Sequence, residues 1–240
     1  MVGTKLELIF AKSASSLSSR NGNAMTVVTI ERKVLEKNDQ IAQLNREAFE
    51  QHHTFVVNLV SSPGSGKTSI LERTLEYLDG SVRVAVIEGD VQTDLDAQRV
   101  AKYNVPTVQI VTKGGCHLEA NLVREALKNI DLSKTQILII ENVGNLVCPA
   151  NYDLGEAVKV VVASTTEGDD KPLKYPEMFR NSSVLIVNKI DLLPYVSCNL
   201  GVLKENARKV NPALTILETS CTSKVGIREW GEWLKKQMVN

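Results

Sequence analysis

The chain has 240 residues, 43% of them apolar, with 28 basic and 28 acidic side chains and a formal net charge of zero. That balance excludes the basic surface of a general nucleic-acid binder, and no apolar run reaches the ~18 residues of a membrane span. The length suits one large α/β domain with a closed core. The four cysteines, Cys116, Cys148, Cys198 and Cys221, are too widely and irregularly spaced for the disulfide framework of a small secreted domain. In a cytoplasmic chain, which is the expectation here, such thiols are free, metal-bound or catalytic, or serve as small buried apolar groups.

Residues 1–24 are rich in Ser and Asn and lack sustained periodicity. They read as a flexible leader, or as a translation start placed ahead of Met25. Their LELIF patch is too short for a signal-peptide core. Residues 25–53 form an N-terminal helical extension. Val34, Leu35, Ile41, Leu44 and Phe49 make a rough helical stripe, with a break expected near Asn38–Asp39. His52 and His53 read as a solvated helix end.

From residue 54 to the C-terminus the pattern changes. Short β-branched runs at 55–60, 82–88, 107–111, 136–141, 158–164, 184–189 and 214–219 alternate with helical stretches. Continuous apolar strands between helices predict an α/β fold with a doubly wound, mainly parallel sheet.

The first strand runs into SSPGSGKTSI and then a helix. This is nearly a Walker A loop, with Ser61 at the usual first glycine. Gly64 and Gly66 let the backbone curl until successive N–H groups face phosphate oxygens, and Ser65 and Ser69 belong to the same binding run. The helix start adds its positive dipole end. Lys67 is placed to reach the β/γ-phosphates and Thr68 to ligate Mg²⁺. A P-loop nucleotide site follows, with Lys67 stabilising transferred charge.

In VLIVNKID, Asn188, Lys189 and Asp191 form the NKxD pattern after a late strand. The Asp191 carboxylate can accept from guanine N1 and N2, whereas adenine offers no such donor pair. Lys189 can lie along the ring and Asn188 can brace the loop. The later TSCTSK resembles a loop closing over guanine, with Ser220 and Cys221 supplying backbone N–H groups. GTP and GDP are therefore the expected nucleotides. Two more strand ends supply acids: Glu88-Gly89-Asp90, and Glu141 with Gly144 three residues on. Parallel strand ends gather beside the phosphate loop. There Asp90 and Glu141, with Thr68, can organise Mg²⁺. Asp90 also suits a helix N-cap. No arginine finger or activating glutamine can be assigned, although Gln92 is a candidate switch residue.

KGGCHLEA places Cys116 and His117 past the third strand, at the start of a predicted helix, and Cys148 follows the Glu141 switch. Two thiolates and an imidazole suit Ni²⁺ or Zn²⁺. From the residues alone, buried cysteines with a helix-capping histidine fit equally well.

Taken together, SSPGSGKT, EGDVQT, GGCHLEA, IENVGNLVCPA, EGDDKPLKYP and NKIDLLPY resemble the hydrogenase nickel-incorporation GTPases of the HypB family, from about Thr26 to the C-terminus. The resemblance implies a dimerising P-loop GTPase that delivers nickel to the [NiFe]-hydrogenase large subunit; slow intrinsic turnover is expected because no arginine finger or activating glutamine can be assigned. It implies a Ni²⁺ or Zn²⁺ site of Cys116, His117 and Cys148 at the interface of a nucleotide-dependent homodimer. It also implies a nickel-delivery partner of the HypA type and the hydrogenase large-subunit precursor as client. The chain lacks the N-terminal cysteine-rich or histidine-rich stretch of some members. Two other readings remain: a urease-type nickel GTPase, against which Cys148-Pro149-Ala150 stands in place of Cys-Pro-His, and a non-catalytic GTP-dependent scaffold.

Overall fold

The structure, a computed structural model, describes residues 30–91 and 95–238. The expected leader, the first residues of the helical extension and Gln92 lie outside them. The chain divides into two units, Met1–Lys33 and Val34–Asn240. The second carries the whole sheet.

Seven strands form that sheet: β1 (Phe55–Ser61), β2 (Val84–Asp90), β3 (Thr107–Val111), β4 (Ile137–Glu141), β5 (Val158–Ser164), β6 (Val184–Asn188) and β7 (Thr215–Glu218). Their spatial order is β3-β2-β4-β1-β5-β6-β7, and every pairing is parallel. All strands therefore end at the same edge. β1 sits between β4 and β5, where the chain turns from one half of the sheet to the other, the place at which open α/β sheets bind ligands.

Side chains alternate across the sheet, and both faces are covered. On one face Val57, Leu59, Val86, Ile139 and Val162 pack against Ile70, Leu71 and Leu75 of α2 (Lys67–Leu78) and Trp230 and Leu234 of α8 (Ile227–Gln237). On the other, Val56, Ile87, Leu138 and Ile140 meet Phe49 of α1 (Ile30–Gln51) and Val123 of α4 (Ala120–Ala126). Beyond β5, Val161 and Leu185 meet Phe179 of α6 (Pro176–Arg180) and Leu203 of α7 (Leu200–Val210). The short α3 (Leu95–Ala101) and α5 (Lys171–Lys174) are the remaining α-helices among the described residues. Two-sided burial is why the strands read as continuous apolar runs.

Three expectations are corrected. α1 runs unbroken through Asn38–Asp39. Asn38 faces the protein, donating to the Asp153 carbonyl and accepting from the Ala120 N–H, so its side chain does not compete with its own backbone. The second strand extends to Asp90, because Gly89 and Asp90 pair with Ile110 and Val111. Asp90 thus closes a strand five residues before α3 and is not that helix's N-cap. The helix after Cys116-His117 begins only at Ala120. Leu118 N–H is taken by the Asn142 side chain instead.

Candidate nucleotide and metal site

The β1–α2 loop curls through two glycines with positive φ, Gly64 at 77° and Gly66 at 97°. Such angles favour glycine. A Cβ on Gly66 would also lie 2.5 Å from Asn188 Nδ2. The loop borders a cavity of about 530 Å³. Lys67, Thr68 and Ser69 line it from α2, Asp90 from β2, and Glu141 and Gly144 from β4 and its exit. Gly144 lies against the loop itself, where a Cβ would approach Pro63 at 3.2 Å. Ser65 points away from the cavity side and donates to Glu167 Oε2 at 2.7 Å, while Lys171 bridges Glu167 and Ser62.

The NKxD residues are adjacent. Asn188 donates to the Ser65 carbonyl at 3.1 Å and accepts from Thr219 and Cys221. It therefore braces the phosphate loop from behind. Lys189, at φ 62°, donates to the Gly64 carbonyl at 2.7 Å. Asp191 sits in the following helical turn, Ile190–Tyr195. Ser220 is buried, with its hydroxyl accepting from Ser223 N–H. Burial pushes the Cys221 thiol up to about 11.

At the cavity floor, Thr68 donates to Glu141 Oε1 at 2.8 Å, and Lys67 Nζ lies 3.6 Å from the same oxygen. Glu141 and Glu88 are buried, and Glu141 Oε2 and Glu88 Oε1 have no partner. Burial, then the nearby Glu141, pushes Glu88 up to about 10; burial raises Glu141 as well. Unpaired buried carboxylate oxygens beside a hydroxyl are a donor set that a hard divalent cation satisfies. Mg²⁺ fits these residues.

The structure gathers Cys116, His117 and Cys148. One ligand atom from each lies within 4.8 Å of the others, making this the candidate cluster for a metal ion among the described residues. Cys116 Sγ is 2.9 Å from Cys148 Sγ and 3.6 Å from His117 Nδ1. The hydrogen bond to Cys148, then burial, raises the Cys116 thiol; burial lowers His117 and so favours the neutral ring that ligates metals. His117 Nε2 is buried without a hydrogen bond, with Glu119 Oε1 at 3.9 Å, and the ring packs on Tyr152 with centroids 3.9 Å apart. Leu118, next in sequence, is fixed by Asn142 and by close packing on Gly89. His52 and His53 are exposed and outside the cluster.

Several residues escaped the sequence. Asn142 accepts from Leu118 and Val143 N–H and donates to Asn58. Asn145 donates to the Cys116 carbonyl at 3.2 Å. Lys159, buried in β5, donates to the carbonyls of Pro149, Ala150 and Tyr152. Arg99 lines the cavity, held by Glu72 and Asp96 and touching Ser69. Asn142 and Asn145 lie in IENVGNLVCPA and Glu167 and Lys171 in EGDDKPLKYP, two of the stretches that carry the family resemblance.

A glycine-curled loop opening a helix, with a lysine, hydroxyl and buried acids at the switch point of a parallel sheet, defines a P-loop nucleotide-binding protein with the GTPase fold. Residues 55–218 match the family model for the CobW/HypB/UreG nucleotide-binding domain. A hydrogenase maturation factor HypB of Azotobacter vinelandii is 51% identical over 211 residues, covering 88% of this chain and 70% of that protein. Among solved structures, HypB of Archaeoglobus fulgidus superposes with a TM-score of 0.80 at 37% identity, covering 85% of this chain and 99% of that one. HypB of Helicobacter pylori in complex with nickel gives a TM-score of 0.80 at 39% identity, covering 84% and 95%. The chain belongs to the HypB family.

Proposed function

We propose that the chain is a GTP-hydrolysing metallochaperone that carries Ni²⁺ for insertion into the [NiFe]-hydrogenase large-subunit precursor. The observation that carries this reading is the placement of Cys116, His117 and Cys148 within 4.8 Å of one another on segments flanking Glu141 and Gly144. The nickel complex of the H. pylori relative and the maturation-factor names of the relatives support it. Ni²⁺ is the cargo, and three protein ligands leave a position open for transfer.

In this reading Asp191 selects guanine, Lys189 lies along the ring once released from Gly64, and Ser220 and Cys221 close the pocket with backbone N–H groups. The N–H groups of Gly64, Ser65 and Gly66 and the start of α2, with Ser69, cradle the phosphates. Lys67 leaves Glu141 for the γ-phosphate and stabilises the charge of the transferring group. Mg²⁺, when bound, neutralises β- and γ-phosphate charge. Thr68, Asp90 and Glu141 are the groups that would hold it. Gly144 turns a main-chain N–H to the γ-phosphate.

Intrinsic turnover is slow, and a nucleotide-dependent homodimer completes the site. A HypA-type partner supplies nickel in the cytoplasm. The test is multiple-turnover phosphate release together with nickel titration. Lys67→Ala should abolish hydrolysis while leaving nickel binding, and Cys148→Ala should do the reverse. Hydrolysis by Lys67→Ala at the unmutated rate overturns the reading, and so does undiminished nickel binding by Cys148→Ala.

A further inference from the structure

Among the described residues, three cations line the nucleotide cavity: Lys67, Lys189 and Arg99. In the proposed function Lys67 and Lys189 turn to the nucleotide, and Arg99 of α3 has no part. Yet Arg99 is not a loose surface side chain. Its Nε and Nη2 donate to Glu72 Oε1 and Oε2 at 3.0 and 2.6 Å, a two-point grip from α2. Its Nη1 donates to Asp96 Oδ1 at 3.1 Å, and Nη2 reaches Ser69 Oγ at 3.3 Å.

The two edges of the guanidinium therefore differ. The Nε–Nη2 edge is fixed on Glu72, which orients the plane. The Nη1–Nη2 edge meets Asp96 and Ser69, both of which line the cavity. That edge presents paired N–H groups at the spacing of phosphate oxygens. The bond to Asp96 is the easier one to give up. It joins residues three apart on one short helix, with side chains 38% and 37% exposed, and such pairs are worth little. The charge of Arg99 is also felt deep in the site, where it favours the ionised forms of Glu88 and Glu141.

We propose that Arg99 is a phosphate-binding residue supplied by the chain itself, which exchanges Asp96 for an oxygen of the phosphates that GDP and GTP share. The position on the phosphate chain follows from Ser69. That member of the cradle comes after Lys67 and Thr68, the groups placed at the γ-phosphate and Mg²⁺, so Arg99 belongs with the phosphates behind γ. A cation spent on groups common to substrate and product strengthens the binding of both without speeding their interconversion, in keeping with slow intrinsic turnover. The proposal deepens the nucleotide half of the proposed function and rests on it.

The full chain, free of nucleotide, is titrated by calorimetry with GDP·Mg²⁺ and with a non-hydrolysable GTP analogue and Mg²⁺. Arg99→Met keeps the apolar stem and removes the N–H donors. It should weaken both nucleotides alike, on the order of tenfold or more. Glu72→Gln removes the ion pair between α2 and α3 but keeps the arginine and an acceptor for it. Its affinities should stay within about threefold of the unmutated protein. An Arg99→Met variant that stays inside the same range overturns the proposal. So does a loss confined to the GTP analogue, because the contact would then lie at the γ-phosphate. Equal losses in the two variants also overturn it, because Arg99 would then serve only to clamp α3 to α2. If the unmutated protein binds neither nucleotide, the nucleotide reading itself falls. That failure is distinguishable because no Arg99 or Glu72 variant enters it.

Discussion

Glu88 and Glu141 are direct partners in the register of β2 and β4; both are buried, and Glu141 lines the cavity. Residues paired in a parallel ladder project to the same face, so two acids share one dry site, each with an oxygen lacking a partner. The arrangement is unfavourable without a cation. Glu88→Gln should raise the stability of nucleotide-free protein in chelator by about 1–3 kcal/mol and should diminish the stabilisation by added Mg²⁺. Thermal melts in EDTA and in Mg²⁺ check both. A variant that melts lower in EDTA and keeps the full Mg²⁺ response would contradict this account of the pair.

Asn188 holds three groups at once: the Ser65 carbonyl, the Thr219 hydroxyl and the Cys221 thiol. Asn188→Ala leaves them unpaired in a buried place. The expected loss is about 1–3 kcal/mol of folding stability, with weaker binding of GTP and GDP alike because the phosphate loop loses its brace. Denaturant unfolding and nucleotide calorimetry measure the two effects. An unchanged nucleotide affinity would mean that the loop holds its shape without the asparagine.

Lys159→Met should uncouple nickel from nucleotide. The methionine removes the donor to three carbonyls and leaves Glu156 buried without its cation. Breaking such a pair costs about 3–5 kcal/mol, and adding Glu156→Gln should restore part of it. Nickel affinity should fall while GTP affinity holds, since Lys159 lies outside the cavity lining. Parallel titrations of the double variant, which separates loss of the turn's anchor from simple unfolding, decide the matter.

Cys221 offers a pH-dependent check. Burial, the largest influence, holds its thiol at about 11 in the folded protein, above the ordinary value of 9.0. Arg73 and Asn188 favour the thiolate, while Glu72 and Asp191 oppose it. The thiolate is the reactive form. Iodoacetamide labelling of Cys221, followed by peptide mass spectrometry, should be slow at pH 8 and climb steeply only towards pH 11. In denaturant it should become fast near the ordinary thiol value. A folded thiol that is fully reactive at pH 8 would show that the loop carrying Cys221 opens in solution. The sign for stability follows from the raised value: the unfolded chain loses this proton first, so Cys221 makes the fold less stable as pH rises through 9 towards 11.

The sequence made the phosphate loop plain because its constraint is local: glycine at 64 and 66, then lysine and threonine at the head of a helix. It made the strands plain because burial on both faces leaves them mostly apolar. The apolar run of β2 stops at Glu88; Gly89 and Asp90, read as its end, carry no apolar signal and belong to the strand through Ile110 and Val111. The expected break at Asn38 failed for a similar reason. Asparagine is a poor helix former in isolation, but here its partners lie 82 and 115 positions away. Lys159 in VKVVVAS was opaque because nothing nearby in the chain announces a turn of carbonyls waiting for an ammonium group. Apart from the family resemblance, the convergence of Cys116, His117 and Cys148 could be suspected only from the rule that parallel strand ends meet.

The match to the family model begins at residue 55, where β1 opens, yet the compact unit begins at Val34. Within that difference lies most of α1. Its Asn38 joins Ala120 to Asp153, its Asn45 joins Ala120 to Leu154, and its Arg46 grips Asp153. Ala120 lies just after His117, and Asp153 lies just after the turn that Cys148 opens. The helix is thus a strap that joins the two segments carrying the Cys116, His117 and Cys148 cluster. A fragment begun at residue 55 would keep the phosphate loop and the acids of the cavity but lose the brace behind Cys116 and Cys148, so it should bind nucleotide and hold a metal only slackly.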